Sequence, residues 1–207
     1  MRARRAMNGP AASDATDARA RRWRVAAVAA AWTMAVAGLG GLATDLGSWY
    51  YALKQPPWKP PDTWFGPAWT LIFTLTAWGC ARAWLAGGAG PAADAAASRA
   101  LRSRRRWLLV ALAVNSVLNV AWSWLFFGLR RPDWALVEWL PFWLSIAVLA
   151  ICAGRLDRRA AWLLLPYLAW VAFAGALNAA VVQLNGPYGT VPAVATGQGP
   201  LIEEDRT

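Results

Sequence analysis

The sequence predicts an all-α integral membrane protein, a bundle of five transmembrane helices. Three observations carry this: an apolar excess, its arrangement in long blocks, and a one-sided distribution of basic residues. Of 207 residues, 58% are hydrophobic and 15% charged, where soluble domains average about 45–50% and about 25%. Too little polar surface exists to cover a water-soluble globule. The apolar residues gather in runs of roughly twenty. As a helix rising 1.5 Å per residue, such a run spans a hydrocarbon core of about 30 Å. Lys and Arg number 21 against 11 Asp and Glu, a net charge of +10. They lie in short clusters beside the apolar blocks, which suits membrane orientation and anionic head groups. No basic fold of the kind that binds nucleic acid is present, and nucleic acid is excluded as a partner.

Residues 1–24 are polar, Ala/Arg-rich and aperiodic, and read as a disordered basic tail. The membrane domain then covers residues 25–185. Its first helix, at about 25–44, follows Arg21, Arg22 and Arg24 and is too long for the core of a signal peptide. Leu46 to Phe65 holds Trp49-Tyr50-Tyr51 and four prolines between Pro56 and Pro61. Those prolines forbid a regular helix and favour extended backbone, so this is an extramembrane loop with aromatic anchors. The second helix, at about 66–86, carries only Arg82, near enough to its end to snorkel. A Gly-rich linker from Gly87 leads to Arg102 and Arg104-Arg105-Arg106, and the third helix occupies about 107–129. Tight turns at Arg130–Asp133 and Arg155–Arg159 separate it from the fourth (about 134–154, with Glu138 in its first turns) and the fifth (about 160–184). Residues 186–207 read as a flexible tail.

Basic residues orient this chain. With the N-terminus inside, inner segments hold seven in the tail, five in the linker and three in the last turn. The outer segments hold five in all. That asymmetry is the positive-inside pattern, placing the N-terminus in the cytoplasm and the proline loop outside.

Chemistry-bearing residues are few. Cys80 and Cys152 lie inside apolar blocks, where isolated cysteines act as small hydrophobes. Histidine is absent, which removes the commonest metal ligand and the usual general base, and no metal site is expected. Tryptophan, by contrast, occurs 16 times. Trp23, Trp107, Trp134 and Trp162 fall at helix ends and fit interfacial belts. Trp69, Trp78, Trp122, Trp143 and Trp170 lie deeper, where they either pack the bundle or line a pocket for a planar ligand. On the third helix Asn115, Asn119, Trp122 and Ser123 share one face through spacings of three and four. An amide in hydrocarbon must be hydrogen-bonded, so this face points inward, as interhelical glue, as ligand contact, or as both. On the fifth helix Pro166-Tyr167 is followed by Trp170, Ala174 and Asn178 at intervals of four, joining a ring, a gap and an amide on one face.

Several of these residues form motifs: Trp49-Tyr50-x-x-Leu53, Pro56-x-Trp58-x-Pro60-Pro61, Phe65-Gly66-Pro67-x-Trp69, Asn119-x-x-Trp122-Ser123-x-x-Phe126-Phe127 and Pro166-Tyr167-x-x-Trp170-x-x-Phe173-Ala174-x-x-Leu177-Asn178. In this order they resemble the TspO/MBR family, the tryptophan-rich sensory proteins and translocator proteins. The resemblance implies a five-helix bundle, often a homodimer, whose pocket is closed by the loop after the first helix. It implies protoporphyrin IX or a haem-like tetrapyrrole as ligand, with no obligatory cofactor. The implied ligand-binding residues are Tyr50, Pro60, Pro61, Phe65, Trp69, Asn115, Trp122, Trp170 and Ala174. Some bacterial members are reported to degrade porphyrin in light, which would assign a catalytic role to Trp69 and Trp170.

Two departures narrow the expectation. The sterol-recognition pattern of animal members has Tyr and Arg where this chain has Ala179 and Gln183, so sterol binding through that motif is not expected. Lack of histidine means that a haem would have to be held without imidazole, which favours a metal-free porphyrin at least equally. The reading is a bacterial cell-membrane sensor or regulator of tetrapyrrole metabolism and stress response. The alternatives are a light-dependent porphyrin-degrading enzyme, disfavoured because Glu138 and Asp45 stand alone with no acid–base partner, and a porphyrin or lipid transporter, disfavoured by the absence of internal repeats and midplane charge pairs.

Overall fold

The computed structural model describes residues 10–86 and 95–188. They form six α-helices and no strand: α1 (Pro10–Ala43), α2 (Ser48–Ala52), α3 (Phe65–Ala86), α4 (Ala95–Ser123), α5 (Pro132–Gly154) and α6 (Arg158–Asn185). A 3-10 turn at Asp62–Trp64 precedes α3, and a π-helical turn at Trp124–Gly128 prolongs α4. The protein is thus all-helical, and long apolar helices make it a multi-pass integral membrane protein. A count of five helices is not reproduced. The five long helices cover the expected segments, and α2 adds a sixth within the stretch read as loop. Four stretches, Asp14–Ala43, Ala95–Gly128, Pro132–Gly154 and Arg158–Asn185, are long and apolar enough to cross a membrane. The remaining long helix, α3, is diluted by threonines, tryptophans and Arg82.

Two helices extend beyond their expected bounds. Residues 10–24, expected as tail, continue α1, and residues 95–106, expected as linker, begin α4. Both stretches are rich in Ala and Arg, the strongest helix formers. Each is an extension of a long helix, so no new nucleus has to form. Pro10 occupies the first position of α1, where a missing N–H costs nothing. Residues 1–9, 87–94 and 189–207, on which the remainder of the tail and linker expectations fall, lie outside the described residues.

Helix α5 packs against α4 and α6, α3 against α6, and α1 against α3 and α4. Where α3 and α5 end and α4 and α6 begin, the core is built from small side chains. Ala83, Ala153 and Ala160 are fully buried among Leu108, Leu149 and Leu164. A Cβ added at Gly79 would stand 2.9 Å from Leu164 Cδ1 and 3.1 Å from the Ala160 carbonyl oxygen, so glycine is what lets α3 approach α6. Near the end of α3, Arg82 reaches the turn that joins α5 to α6. It pairs there with Asp157 at 2.5 Å, and Asp157 also caps α6 by accepting from the Arg159 amide at 2.9 Å.

Midway along the bundle, Ile72, Phe142, Ile146, Tyr167 and Val171 form a second cluster ringed by tryptophans. Trp139 and Trp143 lie across α6, their indole N–H groups donating to the carbonyls of Val171 (2.7 Å) and Leu168 (3.0 Å). Trp139 comes so close that a Cβ at Gly175 would fall 2.1 Å from its ring. A polar network crosses this layer. Asn115 Nδ2 donates to Ser145 Oγ (2.9 Å), the Tyr167 hydroxyl donates to Asn115 Oδ1 (3.3 Å), and Asn119 Nδ2 donates to the Tyr167 hydroxyl oxygen (3.1 Å). Beside it, Trp32 Nε1 on α1 donates to Ser116 Oγ at 3.0 Å, and that hydroxyl donates to the Leu112 carbonyl at 2.8 Å.

Candidate functional site

Beyond that network the helices part. A cavity of about 650 Å³ opens between α1, α3, α4 and α6 and lies beneath α2 and the proline loop. Its walls are the inward face of α3 (Phe65, Trp69, Phe73), the end of α4 (Asn119, Trp122, Phe126, Phe127) and a row along α6 (Trp170, Ala174, Asn178). Helix α5 contributes nothing to it. Ala37 and Gly41 on α1, Thr44 just after it, and Gly66 and Thr70 on α3 line the cavity and are also exposed, so it opens between these two helices.

Local sequence explains each wall. Spacing of four on α6 puts Trp170, Ala174 and Asn178 on one face, and small Ala174 leaves space between ring and amide. The π turn widens the helix by one residue per hydrogen-bonded loop, with the Leu129 amide reaching the Trp124 carbonyl at 2.7 Å. That register presents the consecutive Phe126 and Phe127 to the same cavity, and π turns are recurrent at functional sites. With its amide oriented to satisfy both atoms, Asn178 donates to the Pro132 carbonyl and accepts from the Leu136 amide, each at 3.1 Å. It therefore ties the start of α5 to the cavity wall.

The lid is ordered by three side chains. The Tyr50 hydroxyl donates to Asp62 Oδ1 at 2.7 Å, Lys59 Nζ reaches the same oxygen at 2.5 Å, and the Lys59 ammonium sits 5.5 Å above the Tyr50 ring. All three face the cavity. Desolvation works to raise the Asp62 carboxyl, but the hydrogen bonds from Lys59 and Tyr50 hold it below its usual range. Burial, followed by the bond to Asp62, pushes the Tyr50 hydroxyl up. A latch fixes the far edge: the Lys54 amide donates to Asn185 Oδ1 at 2.8 Å, and Asn185 Nδ2 returns a bond to the Lys54 carbonyl at 2.9 Å. Aromatic contacts seat α2 on the π turn, Trp49 against Phe126 at 6.2 Å and Tyr50 against Phe127 at 5.8 Å. This packing is why Ser48–Ala52 is helical where the sequence read as loop.

The expected site residues are distributed unequally. Tyr50, Phe65, Trp69, Trp122, Trp170 and Ala174 meet in the cavity wall. Pro60 and Pro61 are outside it. Pro60 is half-buried and Pro61 exposed, and the Pro61 carbonyl accepts from Trp64 at 3.0 Å to start the turn that carries Asp62. Asn115 lies below the cavity in the buried network and borders a small separate void of about 40 Å³. Among the deeper tryptophans, Trp78 is exposed and Trp143 packs on α6, while the belt set Trp23, Trp107, Trp134 and Trp162 is exposed throughout. Sequence reasoning missed Gln55, Asp62, Thr63 and the α1 residues Val36 and Gly40 as cavity residues. The position of Asp62, three residues after Lys59 in a proline-flanked turn, was the available signal.

Among the described residues no group of His, Cys, Asp and Glu could hold a metal ion, and the cavity wall offers no imidazole, thiolate or thioether.

The TspO/MBR family model matches residues 27–184. The chain is 35% identical over 139 residues to the tryptophan-rich protein TspO of Chlorobaculum tepidum, covering 67% of this chain and 80% of that protein. It is 31% identical over 152 residues to protein CrtK of Rhodobacter capsulatus (73% and 87%). It is 36% identical over 137 residues to the translocator protein of Bos taurus (66% and 75%).

Proposed function

The chain belongs to the TspO/MBR family, and on that premise we propose that it binds a tetrapyrrole in its outer-half cavity and acts as a membrane sensor or regulator of tetrapyrrole metabolism. The observation that carries this reading is the cavity itself. Its volume of about 650 Å³ lies within the range of small-molecule sites, and three indoles, Trp69, Trp122 and Trp170, face it. Flat rings recognise flat aromatic ligands by stacking. The helices bring Thr70, Asn119, Ser123 and Asn178 to the wall, and at the lid Lys59, Tyr50 and Gln55 can meet propionates or ring edges. Lys59 is already paired with Asp62, so a propionate would share or displace that partner.

The direct experiment titrates the purified full chain in detergent with protoporphyrin IX and follows tryptophan fluorescence. Saturable quenching is expected. Quenching that stays linear and matches free tryptophan in the same micelle would sink the reading.

Since Trp69 and Trp170 both border the cavity, light-dependent breakdown of a bound porphyrin is a second reading. Illumination under oxygen would then bleach bound porphyrin faster than free porphyrin, and faster than porphyrin bound to a Trp69→Phe, Trp170→Phe variant. On topology, the reading is five crossings with the N-terminus cytoplasmic in a bacterial cell membrane and association as a homodimer. Reporter fusions after residues 45 and 90 should fall on opposite sides, and light scattering of the purified protein should give twice the chain mass.

A further inference from the structure

Two buried polar groups on facing helices have no partner. Neither carboxyl oxygen of Glu138 on α5, nor the indole N–H of Trp122 on α4, is hydrogen-bonded to any described residue. A buried donor or acceptor left unbonded carries a desolvation cost that the fold has not offset. Helix register brings the two to one level. Consecutive helices α4 and α5 run antiparallel, and Asn115 meets Ser145 at 2.9 Å. Two turns forward on α4 and two turns back on α5, seven residues on each, lead to Trp122 and Glu138. About one turn further, Phe126 and Ala135 share a buried cluster.

Their positions relative to the cavity differ. Trp122 forms part of the wall, whereas Glu138 belongs to a helix that contributes no residue to it. Glu138 therefore stands behind the wall. The Trp122 ring stacks on Phe126 at 5.2 Å and meets the edge of Phe127 at 6.2 Å, and both phenyl rings also line the cavity. Pressure from a flat ligand thus acts on a coupled aromatic set whose indole N–H lacks an acceptor.

We propose that Glu138 is a positioning residue for this wall: when the cavity is filled, the Trp122 indole turns so that Nε1–H donates to the Glu138 carboxyl, and occupancy is registered as a new hydrogen bond across the α4–α5 seam. This rests on the cavity being a ligand site. Trp122 touches the ligand, Glu138 acts through Trp122, and the bond satisfies both orphaned groups at once.

The test uses the full chain in lipid nanodiscs with ¹⁵N-labelled tryptophan, the Trp122 indole resonance being assigned from the Trp122→Phe variant. Two probes fill the cavity, protoporphyrin IX and the uncharged aromatic pyrene, and binding of each is followed separately by its own absorbance or fluorescence. A downfield shift of the Trp122 indole proton is expected on filling in the wild type and in Glu138→Gln, which keeps an acceptor. In Glu138→Met, of similar length but without one, the shift is lost and probe affinity falls by about 2–10-fold, the effect of one hydrogen bond. An equal shift in Glu138→Met, or no shift in the wild type with probe bound, overturns the inference. Binding of pyrene with the shift but no binding of protoporphyrin IX overturns the tetrapyrrole reading alone. Failure of both probes to bind overturns both.

Discussion

At the end of the bundle where α3 and α5 finish and α4 and α6 begin, the helices close on alanine and glycine. At the opposite end, three of those helices, α3, α4 and α6, present Trp69, Trp122, Phe126, Phe127 and Trp170 and stand apart around about 650 Å³ of space. Within a bilayer, lipid tails are as apolar as leucine, so helices associate by close packing and interhelical hydrogen bonds rather than by escape from water. Small residues such as Gly79, Ala83 and Ala160 maximise that packing. Large rings at the other end cannot interdigitate as tightly, and the lost packing is replaced by the network through Asn115, Asn119 and Tyr167 and by a lid held with polar bonds. One chain thus carries a clamp at one end and a receptacle at the other, with the polar layer between them.

That division is most exposed to a substitution in the clamp. Leu164 is fully buried against Gly79, Cys80 and their neighbours. Leu164→Ala should cost about 2–5 kcal/mol, the range for a buried leucine whose cavity cannot collapse, read as a lower unfolding midpoint in detergent. Because the cavity lies at the other end, protoporphyrin IX affinity of the folded fraction should change by less than about twofold, as expected for distant, independent sites. A large loss of affinity would show that the two ends are one unit.

The converse variant tests the receptacle. Trp69 and Trp170 are only partly buried and face the cavity, so Trp69→Ala with Trp170→Ala removes stacking surface from the site. At about 0.5–1.5 kcal/mol for each aromatic contact, affinity should fall by roughly 5–150-fold, while the unfolding midpoint moves less than in Leu164→Ala. Unchanged affinity in a folded double variant would remove both residues from the site.

The same contrast explains what the sequence disclosed. Apolar runs and charge located the long helices, because a lipid solvent demands a continuous apolar run and basic residues mark its ends. The wall row Trp170-Ala174-Asn178 was readable because helical spacing alone sets it. Helix α2 was not, since Ser48–Ala52 is stabilised by rings that arrive from the distant π turn. Asn115 was legible as an inward amide but not as lying below the cavity, because that depends on where Ser145 and Tyr167 fall in the register of α4 with α5 and α6. The N-terminal ends of α1 and α4 were misread as tail and linker because polar, Arg-rich composition suggests coil, although Ala and Arg continue a helix that has already formed.

Between clamp and receptacle, Tyr167→Phe removes one hydroxyl and leaves Asn115 Oδ1 and Asn119 Nδ2 each short of a partner. Hydrogen bonds between membrane helices contribute about 0.6 kcal/mol on average and up to about 1.7, so about 1 kcal/mol of stability should be lost. Asn119 also lines the cavity; its freed amide should make affinity respond as well, by a factor of about 2–5. An effect on stability alone would assign the network wholly to the clamp.

The smallest effect belongs to the lid. Asp62→Asn keeps an acceptor for Tyr50 but weakens the pairing with Lys59. Partly exposed ion pairs contribute about 0–1 kcal/mol, so bound porphyrin should dissociate no more than about fivefold faster. The pH dependence follows from the directions of the two shifts. The Asp62 carboxyl is held below its ordinary 3.8, so its contribution is complete above about pH 4 and is lost only as pH falls through the lower folded value. The Tyr50 hydroxyl is raised above its ordinary 10.0, so its contribution is complete below that value and is lost as pH rises through the higher folded one. The lid's own share of the dissociation rate should therefore be flat between about pH 5 and 9, because neither group titrates there. Measuring dissociation of wild type and Asp62→Asn side by side isolates this share, since titration of the ligand's propionates is common to both. A ratio that changes across this range would mean that the lid is closed by some group other than the Tyr50–Asp62–Lys59 cluster.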